Sequence, residues 1–504
     1  MFSARARGFP GVIGRPGLAS AGLFVLAVLF TLAVARLILS GRGLIAAGVL
    51  ALALFYLTIL VRWQRGLYGL LVYLPFAGLV TLALYPWEGP AILNPALYKD
   101  GLFVLPTYLG FLASLVMRRQ RPPRLARLFS GLLLALGLLV VGQMANPGVA
   151  NLTMGLIGAK VWLFYIPLYF LTAALVVSRQ QMTFLLRLMV LVAIVPCAIG
   201  IAEFALGRLY GHLTVMEAVY GTLAPEAQQG FGVYEVGGGL LPRGTPSTFT
   251  FVTQFFGYLL SMLAACYAVW RTDPSPRWRR LGRYMLLVVA LNALLTGARS
   301  AFIFVPLSLF LAFCLDRGLR GLLQAIALAG GMLGGALLLL SMRAIGLFEH
   351  VADLFVTYAQ GTAYELLVQA LVSAPLGNGT GTNTGPARYA LPDPASFVAL
   401  ENYYAKAVYE LGVPGFLLIL ALFGVLILQG FRIRRRLQDP ALRSCAAVLL
   451  AFFVTLALNS FKGWLMDLDP INVNFWVFAG LLAKLPELDR RPAELTDTPT
   501  EETP

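Results

Sequence analysis

The sequence predicts an all-α polytopic membrane protein of about fourteen transmembrane helices, on three observations. Of 504 residues, 59% are hydrophobic and 12% charged, with a mean hydropathy of +0.80. A soluble chain of this length would instead divide into roughly two to four domains. Apolar runs of about twenty residues recur, the length that a helix rising ~1.5 Å per residue needs to cross ~30 Å of hydrocarbon. Those runs are continuous rather than alternating, which selects helices over barrel strands as the way to satisfy the backbone in lipid.

In chain order the runs place spans near 18–39, 44–61, 67–85, 101–117, 128–143, 157–177, 184–204, 247–270, 284–297, 300–315, 321–341, 413–430, 444–459 and 470–485. The first follows Arg5, Arg7 and Arg15 but is too long for a signal peptide. It runs on into Arg36 and Arg42 with no small-residue cleavage site, so it reads as an uncleaved span. Thr296-Gly297-Ala298-Arg299-Ser300 interrupts 284–315, giving either two short helices or one broken one. Arginines gather in alternate connections: Arg62 and Arg65, Arg118 to Arg127, Arg179 and Arg187, Arg271 to Arg283, Arg317 and Arg320, and Arg432 to Arg443. By the positive-inside rule these connections and both termini are cytoplasmic. The two long connections, 205–246 and 342–412, then lie outside, the second as a large helical loop between the eleventh and twelfth spans. The net charge of +15 reflects this topology and attraction to anionic lipid, not a nucleic-acid footprint. The organisation expected is N-terminal transmembrane helices over 1–154, a core over 155–485, and a Pro-, Thr- and acid-rich disordered cytoplasmic tail over 486–504.

Cys197, Cys266, Cys314 and Cys445 all fall in spans without metal-ligand spacing, and no metal or cofactor is expected. His212 and His350 lack ligating company and read as structural. Asp467 and Asp469, beside Lys462, resemble a divalent-ion patch only faintly. The chemistry is sought among the outer cations, since charge at membrane depth is expensive. Arg243 precedes Gly244-Thr245-Pro246, where Thr245 is expected to cap and Pro246 to open the next helix. Arg299 stands in the Gly297 break, at the start of a helix, and Lys160 lies at the outer end of an apolar span with no carboxylate within helical reach. Singly, each reads equally as a snorkelling or topology residue. Together they suit a lipid-linked phosphate or pyrophosphate, whose oxygens guanidinium forks bind and stabilise on departure.

In the long interval, Val351, Leu354, Phe355 and Tyr358 have the spacing of a surface helix. Gly377, Gly379 and Gly381 make a turn rather than a nucleotide loop. Around them Asn378, Thr380, Asn383 and Thr384 suit sugar hydroxyls, or simply a solvated loop. From Ala395 to Leu411 the pattern predicts a helix with Glu401 at the edge of its apolar arc and Lys406 and Glu410 on the wet side. A carboxylate turned inward there is a general base or the ion-pair partner of an arginine.

These stretches resemble the O-antigen ligase and O-antigen polymerase superfamily of bacterial membrane glycosyltransferases. The resemblance covers roughly 155–485. It rests on Arg243-Gly-Thr, on Leu295-Thr296-Gly297-Ala298-Arg299-Ser300, on Pro375-Leu376-Gly377-Asn378-Gly379, and on Glu401-Asn402-Tyr403-Tyr404 leading into Glu410-Leu411-Gly412-Val413-Pro414-Gly415. It implies a GT-C fold in the bacterial inner membrane with the active site facing the periplasm. The implied reaction takes a glycan from an undecaprenyl-pyrophosphate carrier to an acceptor glycan or lipid, without metal or nucleotide. The family's arginines match Arg243 and Arg299, and its outer-loop His-Asn falls where this chain has Glu401-Asn402, which keeps a proton acceptor. The expected catalytic residues are therefore Glu401, Arg299 and Arg243, with Lys160, Asn402, Tyr403, Asn378 and Asn383 binding substrate. A polymerase is favoured over a ligase. Membrane lipids are partners, and a chain-length regulator is a further partner that the sequence leaves open. The rivals are a flippase for the same lipid-linked sugars, against which the lack of two related halves counts, and a peptidoglycan polymerase.

Overall fold

A computed structural model describes residues 36, 39–40, 43–85, 94–117, 127–221, 233–236, 239–242, 244–298, 300–318, 320–324, 326–327, 330–331, 364–391 and 400–490. Most of the first and eleventh expected spans, the helix expected at Val351 to Tyr358, and both Arg243 and Arg299 lie outside the described residues.

Among the described residues the fold is helical apart from one antiparallel ribbon. Helices α1 (Gly43–Val61), α2 (Gln64–Tyr73), α3 (Ala77–Ala83), α4 (Leu105–Met117), α5 (Arg127–Gln143), α6 (Leu152–Leu163), α7 (Pro167–Leu175), α8 (Arg179–Tyr210) and α9 (His212–Tyr220) come first. The ribbon pairs β1 (Val233–Val236) with β2 (Gly239–Pro242), Val233 opposite Pro242. Then follow α10 (Val252–Thr272), α11 (Pro276–Leu295), α12 (Ala301–Arg317), α13 (Leu366–Ser373), α14 (Tyr403–Arg436), α15 (Pro440–Asn459) and α16 (Ile471–Arg490). Among the described residues, eight segments are long and apolar enough to cross a membrane: Gly43–Val61, Gln64–Ala83, Pro95–Val116, Leu152–Leu175, Arg179–Tyr210, Val252–Thr272, Tyr403–Arg436 and Pro440–Asn459.

The core is built on α10, in which Phe255 to Val269 are all buried. It packs on α8, α11, α15 and α16. Peripheral α1 instead leaves most of its leucines exposed, as a helix facing lipid does. The break at 296–300 separates two helices, α11 and α12, at a Gly297 with φ 71°.

Several helices outrun the apolar runs that announced them. A Ser178–Gln181 capping box starts α8 at Arg179. Helix α16 continues through Pro486 to Arg490, because the Asp489 carboxylate accepts the backbone N–H groups of Gln438 and Asp439. Helix α14 begins at Tyr403, so the long interval between apolar helices ends ten residues before the expected span, in a helix whose early polar residues are buried.

The bundle has two distinct ends. Arg179, Arg187, Asp273, Asp316, Asp439 and Asp489 mark one, hereafter the basic end. The starts of α10, α12, α14 and α16 and the ends of α11 and α15 mark the other, the loop end.

Candidate functional site

The loop end is organised by a break in α14. Gly412 adopts φ 74°, and Pro414 has no N–H to offer the carbonyl of Glu410. The Val413 N–H turns away to the carbonyl of Pro375, at 2.9 Å, which also releases the carbonyl of Tyr409. The glycine turn fills both vacancies: Asn378 N–H donates to Tyr409 O (2.7 Å) and Gly379 N–H to Glu410 O (3.1 Å). Its other side is held by α5 and the loop after it, with Gln143 and Asn146 donating to the carbonyls of Leu376 (2.8 Å) and Gly377 (3.0 Å). The turn needs its glycines. Gly377, Gly379 and Gly381 all have positive φ, and Gly381 lies so close to Gly158 of α6 that a methyl on the latter would stand 2.1 Å from the Gly381 nitrogen.

Helix α14 departs from the expected phasing. The Asn402 side chain caps it, accepting from the N–H groups of Tyr404 and Ala405 at 3.0 Å each. Glu401 therefore precedes the helix, in a half-buried bend, and its direction does not follow from helical periodicity. Lys406 and Glu410, expected on the wet side, are both fully buried. That face meets protein instead of water. Trp162 of α6 donates its indole N–H to Glu410 Oε2 (2.7 Å), and the Asn383 N–H (2.7 Å) and Thr384 hydroxyl (2.9 Å) reach Glu410 Oε1. Lys406 pairs with Asp467 and sits 5.0 Å from the centre of the Trp162 ring. Tyr403 lies against the same ring at 5.4 Å, with its N–H within reach of the Ser460 and Gly463 carbonyls. Burial pushes the Asp467 carboxyl up, the neighbouring Glu410 charge adds to the rise, and Lys406 opposes it.

A second ionic group lies on the same elements. Lys160 finds a carboxylate after all: Asp100, at 2.5 Å, from the turn that opens into α4. Lys99 bridges to Asp469 (3.1 Å) and approaches Asp100 (3.7 Å), while the Tyr165 hydroxyl donates to Asp100 (2.6 Å). The charge of Lys160 is thus matched within the protein. Asp467 and Asp469 each have a lysine partner, and the described residues contain no group of three ligating side chains that would hold a metal ion.

Arg243 and Arg299 lie outside the described residues, but their neighbours meet. Gly244 packs so tightly on the backbone of Thr296 and Gly297 that a methyl there would stand 1.8 Å from the Thr296 carbonyl oxygen, and Thr245 donates to Leu295 O at 3.2 Å. This replaces the expected cap. Thr245 does not cap α10, which starts at Val252 with no side-chain cap, because its hydroxyl is committed to α11. Ser247, at φ 54°, donates its N–H to Glu203 Oε2 (2.8 Å) and its hydroxyl to Pro196 O (2.6 Å), pinning the segment after Arg243 to α8.

Of the expected substrate-binding residues, Asn402 is a buried cap, Tyr403 is buried, and Asn378 is half-buried with its N–H used by α14. Asn383 is buried and accepts the Leu400 N–H at 3.2 Å. Sequence reasoning missed Trp162, Asp100, Glu203 and the inward direction of Lys406 and Glu410. One local signal was legible for Glu410, since a proline four residues on always leaves that carbonyl without its helical partner. In comparisons with known proteins, no family model matches this chain and no curated protein matches it.

Proposed function

We propose that the chain is an inverting, metal-independent glycosyltransferase that polymerises oligosaccharide units from an undecaprenyl-pyrophosphate donor, in a fourteen-span arrangement with both termini cytoplasmic and the site on the outer face of a bacterial inner membrane. The observation that carries the reading is convergence. The residue after Arg243 packs on those before Arg299 through Gly244 and Thr296, and the glycine-turn segment meets both the stretch before Glu401, through Asn383 and Leu400, and the α14 break, all at the end opposite Arg179, Arg187 and Arg271. In this mechanism Glu401 removes the proton of the acceptor hydroxyl, and the two guanidinium forks carry the charge that develops on the departing pyrophosphate. Lys160, already balanced by Asp100, then contributes position more than net charge.

The test is purified protein in lipid nanodiscs supplied with a lipid-pyrophosphate oligosaccharide and no nucleotide sugar. A ladder of longer glycans is the expected product, and a single addition to a lipid acceptor would indicate a ligase instead. Glu401→Gln should abolish elongation while insertion and the unfolding midpoint stay unchanged. Full elongation by that variant would remove Glu401 from the mechanism.

A further inference from the structure

We infer that Glu410 is a positioning residue for Glu401: anchored on Trp162, its carboxyl group seats the loop at Asn383 and Thr384, and Asn383 in turn fixes the backbone at Leu400, immediately before Glu401. The inference rests on the glycosyl-transfer reading and deepens it.

The contacts form a continuous chain. The Trp162 indole N–H donates to Glu410 Oε2 (2.7 Å), and the Asn383 N–H (2.7 Å) and Thr384 hydroxyl (2.9 Å) reach Glu410 Oε1. Asn383 Oδ1 then accepts the Leu400 N–H at 3.2 Å. On the other side of Glu401, Asn402 caps α14 and the Tyr403 N–H meets the Ser460 and Gly463 carbonyls. Glu401 therefore stands between two anchored neighbours, and the anchor on its N-terminal side reaches the bundle through Glu410.

The division of labour follows from burial. Glu401 is half-buried and keeps an open side, whereas Glu410, Asn383 and Thr384 are sealed inside the protein. Glu410 acts on the reaction through other residues. A buried carboxyl group loses its hydration, and only donors in fixed positions offset that loss, so the network admits one seating of the loop. An apolar side chain would fill the same space without selecting that seating. A base depends on the selection, because a misplacement of about 1 Å costs on the order of a hundredfold in rate.

Glu410→Gln keeps the shape but replaces one oxygen by an NH2 group, which must face the N–H of either Trp162 or Asn383. Trp162→Phe keeps a ring against Lys406 and Tyr403 and removes one of those donors. In full-length protein in nanodiscs, hydrogen exchange at the Leu400 amide should be faster in Glu410→Gln and return toward the wild-type rate in the double variant. With a lipid-pyrophosphate oligosaccharide, kcat for elongation should fall about tenfold or more in Glu410→Gln at unchanged donor KM, and recover in part in the double variant. Trp162→Phe alone, the milder change, should move exchange and kcat the same way by less. Wild-type exchange at Leu400 in Glu410→Gln, or no recovery in the double variant, would overturn the assignment. So would faster exchange with undiminished kcat in a protein whose elongation Glu401→Gln abolishes. If the wild type elongates nothing while Leu400 exchange still follows Glu410, the transferase reading falls and Glu410 keeps its hold on the backbone at Glu401.

Discussion

The two ends of the bundle handle buried carboxylates differently. At the basic end two acids are inside with their cations half out, while the Lys484–Glu487 pair has the reverse order. Asp273 and Asp316 have side chains 1% and 4% exposed, while their partners Arg187 and Arg271 are 29% and 33% exposed. The guanidinium forks reach in from the interface, Arg187 with two hydrogen bonds of 2.7 and 2.8 Å, and staple one helix to another. Asp316 gathers Arg271, Tyr267 and Ser444, which ties α12 to α10 and α15. At the loop end the cations are lysines, and in the Lys406–Asp467 and Lys99–Asp100 pairs both partners are buried, Lys406 completely, although Lys160 beside Asp100 is 30% exposed. Burying both charges forfeits the hydration of both, so that arrangement is sustained only by the hydrogen bonds around it. The basic end reads as clamps.

The sharpest way to break that comparison is to remove one cation from each end. Lys406→Met leaves Asp467 buried without its partner and should lower stability by about 3–5 kcal/mol, with much of the loss recovered in the Lys406→Met/Asp467→Leu double variant. Arg187→Met removes a cation that is itself 29% exposed and should cost less, about 2 kcal/mol, because the Ser275 N–H still pairs with the buried Asp273 carboxylate. Detergent unfolding curves of the three variants measure both, and equal losses at the two ends would erase the distinction. Next comes Gly412→Ala. A methyl there would stand 2.6 Å from the Leu376 carbonyl carbon at a φ of 74°, so a loss of about 1–3 kcal/mol is expected, with faster proteolysis of the glycine turn.

The smallest effect is one of sign with pH. Although burial pushes Asp439 up, the Arg179 hydrogen bond and the N–H groups of Ala441 and Leu442 hold its carboxyl below the ordinary value. The stability it contributes is complete above the unfolded carboxylate pKa of about 4 and is lost as pH falls through the folded value. Asp467 is raised, so the folded state takes up its proton first. Its contribution therefore grows as pH falls from that raised value toward the unfolded one. Unfolding midpoints against pH should show Asp439→Asn flattening the acid-side loss and Asp467→Asn removing the gain, and slopes of the same sign would refute the contrast.

The helical class and the position of most apolar helices were legible because a lipid-crossing helix must satisfy its own backbone within one continuous run. The break at Gly297 and the turn at Gly377 to Gly381 were legible for a similarly local reason, since glycine alone takes those φ values cheaply. The failures share one cause. Phasing Glu401, Lys406 and Glu410 on an extended helix assumed that the polar arc faces water, whereas Asn402 starts the helix late and Trp162, Asn383 and Asp467 cover that arc. Lys160 had no carboxylate within its own helix because its partner, Asp100, comes from another element.

The sequence by itself determined what each segment is, because length, hydropathy, proline and glycine act on the backbone within a few residues. Only the tertiary structure decided which motifs belong together. Pro375-Leu376-Gly377-Asn378-Gly379 and Glu410-Leu411-Gly412-Val413-Pro414 read as two separate motifs. They are one unit, because the carbonyls that Gly412 and Pro414 release are the acceptors that the glycine turn requires. An orphaned backbone group announces locally that a partner is needed, and packing alone supplies which one.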